Sequence, residues 1–265
     1  MNDRPITART PLDRVNPVTR LGCAVLLAAP VLITLDWVSS ITMLALELLI
    51  FTLTGAGLGR MLRGLIPVTV VGLIASVSMA LYGRPGGTIF AHWWWITISH
   101  QSLLMALAVF LRVLALALAA TVLLGRVDPT LMADGLAQRL RLPARFVLGT
   151  LAGVRLLGLF ASDWRMLGLA RRARGLGDTG ALRRHATMAF ALLVTAIRRA
   201  STLATAMEVR GFTSDNARHR TWARPSRIGT PDGVSLIVTL IVCAASLAAA
   251  VWAGTFWFIW LGPPS

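Results

Sequence analysis

Long apolar blocks joined by short arginine-bearing connections make up most of this chain. Apolar runs occupy residues 21–37, 41–59, 65–82, 103–125 and 234–261. A helix needs about 20 residues, within a range of about 17–25, to cross a hydrocarbon core of about 30 Å. The pattern therefore predicts five transmembrane helices. Residues 92–99 are too short for a sixth. With Trp93, Trp94 and Trp95 in a row they read as an interfacial belt or a re-entrant piece, inside a Trp-rich loop near 83–100.

Between residues 126 and 230 the pattern becomes periodic. Asp128 and Pro129 are suited to start a helix, as N-cap and first-turn residue, and it continues to Leu140. Pro143 opens a run of about 30 residues to Arg174, about 45 Å as a helix. In it Phe146, Gly149, Gly153, Leu157, Phe160, Trp164 and Leu167 recur by threes and fours, which predicts one continuous apolar face. Gly149 and Gly153 form a small-xxx-small pair there, fit for close approach of a second helix. Residues 182–210 repeat the logic with Phe190, Leu193, Val194, Ile197, Ala200, Ala204 and Met207. The two helices are expected to cross and pack. Both close on an arginine beside a glycine, at Ala173-Arg174-Gly175 and at Glu208-Val209-Arg210-Gly211. Glycine just past the last turn accepts the left-handed backbone that ends a helix. Arginine there also has a plain structural use, since it complements the helix dipole by about 0.3–1 kcal/mol.

Composition narrows the class. With 265 residues, 56% hydrophobic, 14% charged and a mean hydropathy of +0.71, the chain reads as an all-α polytopic membrane protein. Its net charge of +15 comes without a single lysine. Four arginines precede the first run, Arg60 and Arg63 follow the second, and eighteen lie from Arg126 to Arg227. Only Arg84 falls in the connection between the third and fourth runs. That asymmetry places the N-terminus in the cytoplasm. It is a topological distribution, which speaks against a nucleic-acid partner. The expected organisation is a cytoplasmic segment 1–20, four spans in 21–125, a cytoplasmic helical region 126–230 and a last span in 231–265. The basic N-terminal segment is long and no small-residue cleavage site follows, so the first run reads as an uncleaved span.

Candidate chemistry adds little. Cys23 and Cys243 sit inside apolar runs as small core residues, with no disulfide or metal-ligand spacing. His92 and His100 flank the Trp cluster, where an interfacial place explains them. His185 and His219 lie among arginines, a poor setting for a divalent cation. The chain carries no GxxxxGK[ST], HExxH or GxSxG pattern and no paired aspartates beside the spans. No catalytic residue, metal site or cofactor is expected, and energy for any transport must come from a partner.

Three phrases carry a resemblance. Ala206-Met207-Glu208-Val209-Arg210-Gly211-Phe212 resembles an Ala-Met-Glu-Ala-Arg-Gly-aromatic phrase, with Val209 in place of alanine. Ala170-Arg171-Arg172-Ala173-Arg174-Gly175 matches a second Ala-Arg-Gly. The stretch from Thr10 to Leu21 is similar to a Pro-Leu-His-x-Leu-x-Pro opening, with Asp13 where histidine is common and arginines where lysines are. Together, at these separations and over nearly the whole chain, they resemble the transmembrane T component of energy-coupling factor transporters, the EcfT, CbiQ and BioN family. These are importers of the ABC class that take up vitamins and transition metals.

The resemblance implies a scaffold in a prokaryotic cell membrane, with no active site of its own. It implies two ABC ATPase subunits of the EcfA type, each receiving one arginine-bearing helix tip, and a substrate-binding membrane S component held by the spans. A guanidinium offers planar, forked donors, so Arg174 and Arg210 suit an acidic groove better than lysine would. Two rival readings are an ordinary ABC permease subunit, which would show a single coupling loop, and a membrane-embedded enzyme, which would need a constellation this sequence lacks. Glu47 and Arg112 fall within apolar runs, where an ionisable group costs about 2.5–3.5 kcal/mol and usually meets a partner. Either they pair and fix helix registry, or one of them faces the S component.

Overall fold

Small polar residues and prolines set the helix starts. In the computed structural model the described residues are 11–34, 36–55, 57–83, 89–93, 96–125, 127–175, 180–211 and 224–254. Helix α1 (Pro17–Ile33) begins at Asn16, whose side chain accepts the Val18 N–H at 3.0 Å. Helix α2 (Trp37–Leu53) begins at Asp36, which accepts the N–H of Ser39 at 2.8 Å. Helix α3 (Leu58–Tyr82) follows Gly57. Ser99 and Ser102 cap α4 (His100–Leu123) reciprocally, each backbone N–H donating to the other's hydroxyl. Asp128 caps α5 (Pro129–Arg139) through the Thr130 N–H at 2.8 Å. Two long helices follow, α6 (Ala144–Ala173) and α7 (Ala181–Val209), and then α8 (Thr230–Trp252).

One feature departs from pure helix. Two short strands, β1 (Ile89–Trp93) and β2 (Ile96–Ser99), pair antiparallel, with His92 opposite Thr97 and Trp93 opposite Ile96. The second strand leads into α4. Trp94 and Trp95 lie outside the described residues. Among the described residues the regular elements are otherwise helical, and the apolar helices make this a polytopic membrane protein.

The chain divides into two compact units, residues 1–127 with 227–265, and residues 128–226. In the first, α4 packs on α3, α2 and α1, and α8 packs on α1 and α2. Its core gathers Cys23, Leu27, Met43, Phe51, Leu118 and Val242. Small residues bring α3 and α4 close. A Cβ on Gly64 would stand 2.6 Å from a methyl of Thr121, and one on Gly72 would stand 3.3 Å from Val113. Ser76 also donates across this interface to the Ala106 carbonyl at 2.9 Å. Close backbones and interhelical hydrogen bonds are how helices associate in lipid, where burial of apolar surface no longer discriminates. On α3, Ile66, Val70, Val71, Leu73, Ile74 and Val77 are all exposed, as expected of a helix solvated by hydrocarbon.

Length alone does not pick the expected five spans. Met61–Tyr82, α4, Phe146–Ala173, α7 and α8 are long and apolar enough to cross a membrane, whereas α1 and α2 have 17 residues each. At 1.5 Å per residue, 17 residues cover about 26 Å, at the short end of what spans a bilayer. The runs expected at 21–37 and 41–59 form helices that start about four residues earlier, because Thr34 ends one helix and Asp36 caps the next.

In the second unit, α5 packs on α6 around Ala133, Ala137 and Val147, and α6 meets α7. This meeting corrects two expectations. Gly149 and Gly153 have nothing within 4 Å of an added Cβ, so the crossing is not there. It lies further along, where Asp163 pairs with Arg199 at 2.7 Å, Trp164 stacks on His185 at 5.8 Å, and the Arg199 guanidinium sits 6.0 Å over Phe160. The predicted α6 face takes part only through Phe160 and Trp164, and what it meets on α7 is Arg199 and His185 rather than the predicted α7 face. Phe190, Leu193, Val194 and Ile197 of α7 are exposed, and α6 exposes Val154, Leu159, Met166 and Leu169 off its predicted stripe as well as Phe146 and Leu157 on it. Periodicity identifies an apolar face; it does not say which surface covers it.

Candidate functional site

The two helix ends have the same geometry. Arg174 caps α6 at φ −90° and Gly175 follows at φ +70°; Arg210 caps α7 at φ −80° and Gly211 follows at φ +75°. At the first end the Arg174 N–H donates to Ala170 (3.3 Å) and the Gly175 N–H to Arg172 (3.0 Å). At the second, Arg210 donates to Ala206 (3.2 Å) and Gly211 to Glu208 (2.9 Å). These close the last carbonyls of each helix, and the left-handed glycine turns the chain away. Ala173, Arg174, Glu208 and Arg210 are all exposed. Phe212, the aromatic of the second phrase, lies outside the described residues. Arg210 borders a shallow hollow with Thr202, Thr205, Ala206 and Val209.

A side chain at either glycine would enter a region that costs L-residues about 1–2 kcal/mol. Gly175→Ala and Gly211→Ala should each lower stability by about 1 kcal/mol in a detergent unfolding titration. Gly153→Ala, in a helical backbone with open space around it, should be neutral or slightly stabilising. Equal effects at all three would show that the left-handed ends do not matter.

Glu47 and Arg112 do not pair. Arg112 donates to the Thr34 carbonyl at 2.5 Å, at the turn between α1 and α2, with the Asp36 carboxylate as its electrostatic partner. Glu47 lies eleven residues further along α2, about 16 Å by helical rise. It is 2% exposed and its Oε2 has no hydrogen-bond partner among the described residues. Cys243 of α8 is its electrostatic neighbour. The registry reading fails because Arg112 is held by the interhelical turn instead. Glu47→Gln and Arg112→Gln should therefore combine additively in Tm, within about 0.5 kcal/mol of the sum. A rescue of one by the other would contradict this placement.

Sequence reasoning missed a buried polar knot at the start of the bundle. Asp232, the third residue of α8, accepts the Asn16 N–H through Oδ1 and the Gly229 N–H through Oδ2, both at 2.7 Å. The Asn16 amide in turn donates to the Arg227 carbonyl at 3.1 Å. Nearby, buried Arg20 binds the carbonyls of Val15 and Leu12 and lies 3.6 Å from Asp13. The segment that resembles the family's opening phrase thus ties the starts of α1 and α8 together. Its only local signal was Pro231 and Asp232 as first-turn residues. Within the second unit, Gln138 and Arg139 of α5 bind the backbone of Arg224 and Ser226. Among the described residues, no group of three His, Cys, Asp or Glu side chains gathers as a metal site.

Comparison with known proteins gives the family. A family described as CbiQ, cobalt transport protein, matches residues 8–221. The chain is 27% identical to the energy-coupling factor transporter transmembrane protein EcfT of Limosilactobacillus fermentum, over 83% of this chain and 90% of that one. It is 26% identical to EcfT of Brevibacillus brevis, over 87% and 92%. EcfT of Lactococcus lactis subsp. cremoris is 27% identical over 78% and 82%. The match takes in the opening segment, all the helices before α8 and both arginine-glycine ends, and the chain belongs to the CbiQ family.

Proposed function

We propose that this chain is the transmembrane scaffold and coupling subunit of an energy-coupling factor importer, a transporter subunit with no catalysis of its own. Arg174 and Arg210 each dock in an acidic groove of one ABC ATPase subunit, and the bundle holds a substrate-binding S component. ATP-driven closing of the two ATPases displaces the helix ends. α6 and α7 pass that displacement on, and the S component is tilted to release or reload a vitamin or transition metal ion. The observation that carries this reading is the matched pair of exposed, glycine-terminated arginine caps. Family membership and relatives named EcfT support it.

Placement follows from charge. Arg155, Asp163 and Arg165 occupy the middle of α6 and Arg198 and Arg199 the later part of α7. Each would cost about 2.5–3.5 kcal/mol at a bilayer centre. Long and apolar as they are, these two helices belong in the cytoplasm, and α1 to α4 with α8 form the membrane bundle. The arginine asymmetry puts the N-terminus on the same side. The exposed apolar stripe on α7 and the open glycine face of α6 are then surfaces for partner helices.

The test is co-expression with the ATPases and small membrane proteins of the same host. The wild type should co-purify with both classes in detergent and raise ATP hydrolysis over the ATPases alone. Purification of the chain by itself, with no stimulation, would overturn the proposal.

A further inference from the structure

A cavity between the last third of α6 and the start of α7 has no part in the coupling reading. It holds about 340 Å3 and is lined by Trp164, Arg165, Arg171 and Arg172 from one helix and by Arg184 and His185 from the other. No carboxylate is among the described residues that line it. Asp163, the nearby acid on α6, is committed to Arg199 at 2.7 Å. Arg165, Arg171, Arg172 and Arg184 therefore all border one concave site, Arg165 with its Nε on the Ala161 carbonyl at 3.3 Å, and a hollow lined by one sign of charge concentrates ions of the other.

The walls are firm. His185 donates Nδ1–H to the Ala181 carbonyl at 2.6 Å, since a carbonyl can only accept, and its ring stacks on Trp164 at 5.8 Å. The floor is Gly168 with Met188, which is buried. A Cβ on Gly168 would stand 3.8 Å from the Met188 methyl, in ordinary contact. The missing side chain is part of what keeps the hollow open.

We propose that this cavity is an anion site for a phosphate group. A phosphate presents three or more acceptor oxygens and up to two negative charges, enough to engage several guanidinium forks at once, whereas a carboxylate offers two oxygens and one charge. The phosphate has two possible sources, the headgroup of an anionic lipid and a free phosphate compound. The site is separate from Arg174 and Arg210, so its test does not depend on the ATPases.

The experiment uses the full chain in a neutral detergent and reads Tm. One arm adds inorganic pyrophosphate against sodium chloride of equal ionic strength; the other adds phosphatidylglycerol against phosphatidylcholine. Saturating ligand should raise Tm by several degrees, on the order of 3 °C. Two variants remove the effect by different routes: Gly168→Leu fills the hollow at unchanged charge, and Arg172→Gln with Arg184→Gln removes charge at unchanged volume. A pyrophosphate shift lost in both variants assigns a free phosphate, and a phosphatidylglycerol shift lost in both assigns a lipid headgroup. No shift with either probe, or shifts that persist in both variants, overturns the proposal.

Discussion

Arg174→Glu combined with Arg210→Glu will abolish co-purification of ATPase subunits and leave the chain folded. Both side chains are exposed on helix caps, and the hydrogen bonds that end α6 and α7 are made by backbone atoms that the substitution does not alter. Folding should lose only the dipole contribution, about 0.3–1 kcal/mol per end. Docking should lose far more. A guanidinium seated in an acidic groove is desolvated and hydrogen-bonded, and reversing its charge sets like charges against each other. Removing one partner of such a pair costs about 2–5 kcal/mol, on the order of 30-fold or more in affinity. Two ends failing together should take the complex below detection and remove stimulated ATP hydrolysis. Each single reversal should leave a weakened complex held by the other end, since linked sites reinforce one another through effective concentration. Unchanged co-purification of the double variant, with Tm near the wild type, would mean that the caps are structural only and that the ATPases dock elsewhere.

The features legible in the sequence are those whose physics is local. A helix end with arginine at the cap and glycine next is decided by hydrogen bonds spanning three or four residues, and both ends formed as the phrases predicted. Asp128 with Pro129 likewise started α5. The helical membrane class followed from composition and apolar run length. What the sequence hid is pairing across distance. Arg112 chose the Thr34 carbonyl, 78 residues away, over Glu47, because the turn between α1 and α2 presents an oxygen to it. Nothing in residue spacing reveals that. The α6 and α7 contact was mislocated for a similar reason. Phe160 and Trp164 of the predicted α6 stripe do meet α7, but their partners there are Arg199 and His185, which lie off the predicted α7 stripe, and an ion pair of Asp163 with Arg199 completes the contact. Gly149 and Gly153 marked a place fit for close approach, and α7 does not occupy it.

The longest of these pairings sets the second large effect. Asp232→Ala will destabilise the membrane bundle by about 2–6 kcal/mol. The carboxylate is 3% exposed and is 216 residues from Asn16, yet its two oxygens take the N–H groups of Asn16 and Gly229, each at 2.7 Å. Alanine leaves both donors without an acceptor, and a stranded buried donor costs about 1–3 kcal/mol. The negative charge also sits in the first turn of α8, where the helix dipole favours it, and opposite buried Arg20. A total of this size is a large part of the 5–15 kcal/mol that typically holds a domain together. Asp232→Asn separates the contributions. One amide oxygen can still accept from one donor, but the NH2 group meets the other donor head-on, so the loss should fall between wild type and alanine. Asn16→Ala should cost less, about 1 kcal/mol for the cap on Val18, with a further loss from the Arg227 contact. Because Asn16 meets Asp232 through its backbone, Asn16→Ala keeps that bond. The two alanine substitutions should therefore nearly add in a double-mutant cycle. Tm values that rank wild type, Asn16→Ala, Asp232→Asn and Asp232→Ala in descending order bear out the knot. An Asp232→Ala variant within a degree of wild type would show that water or lipid headgroups satisfy the two donors, and that the start of α8 is held by its apolar packing on α1 and α2 alone.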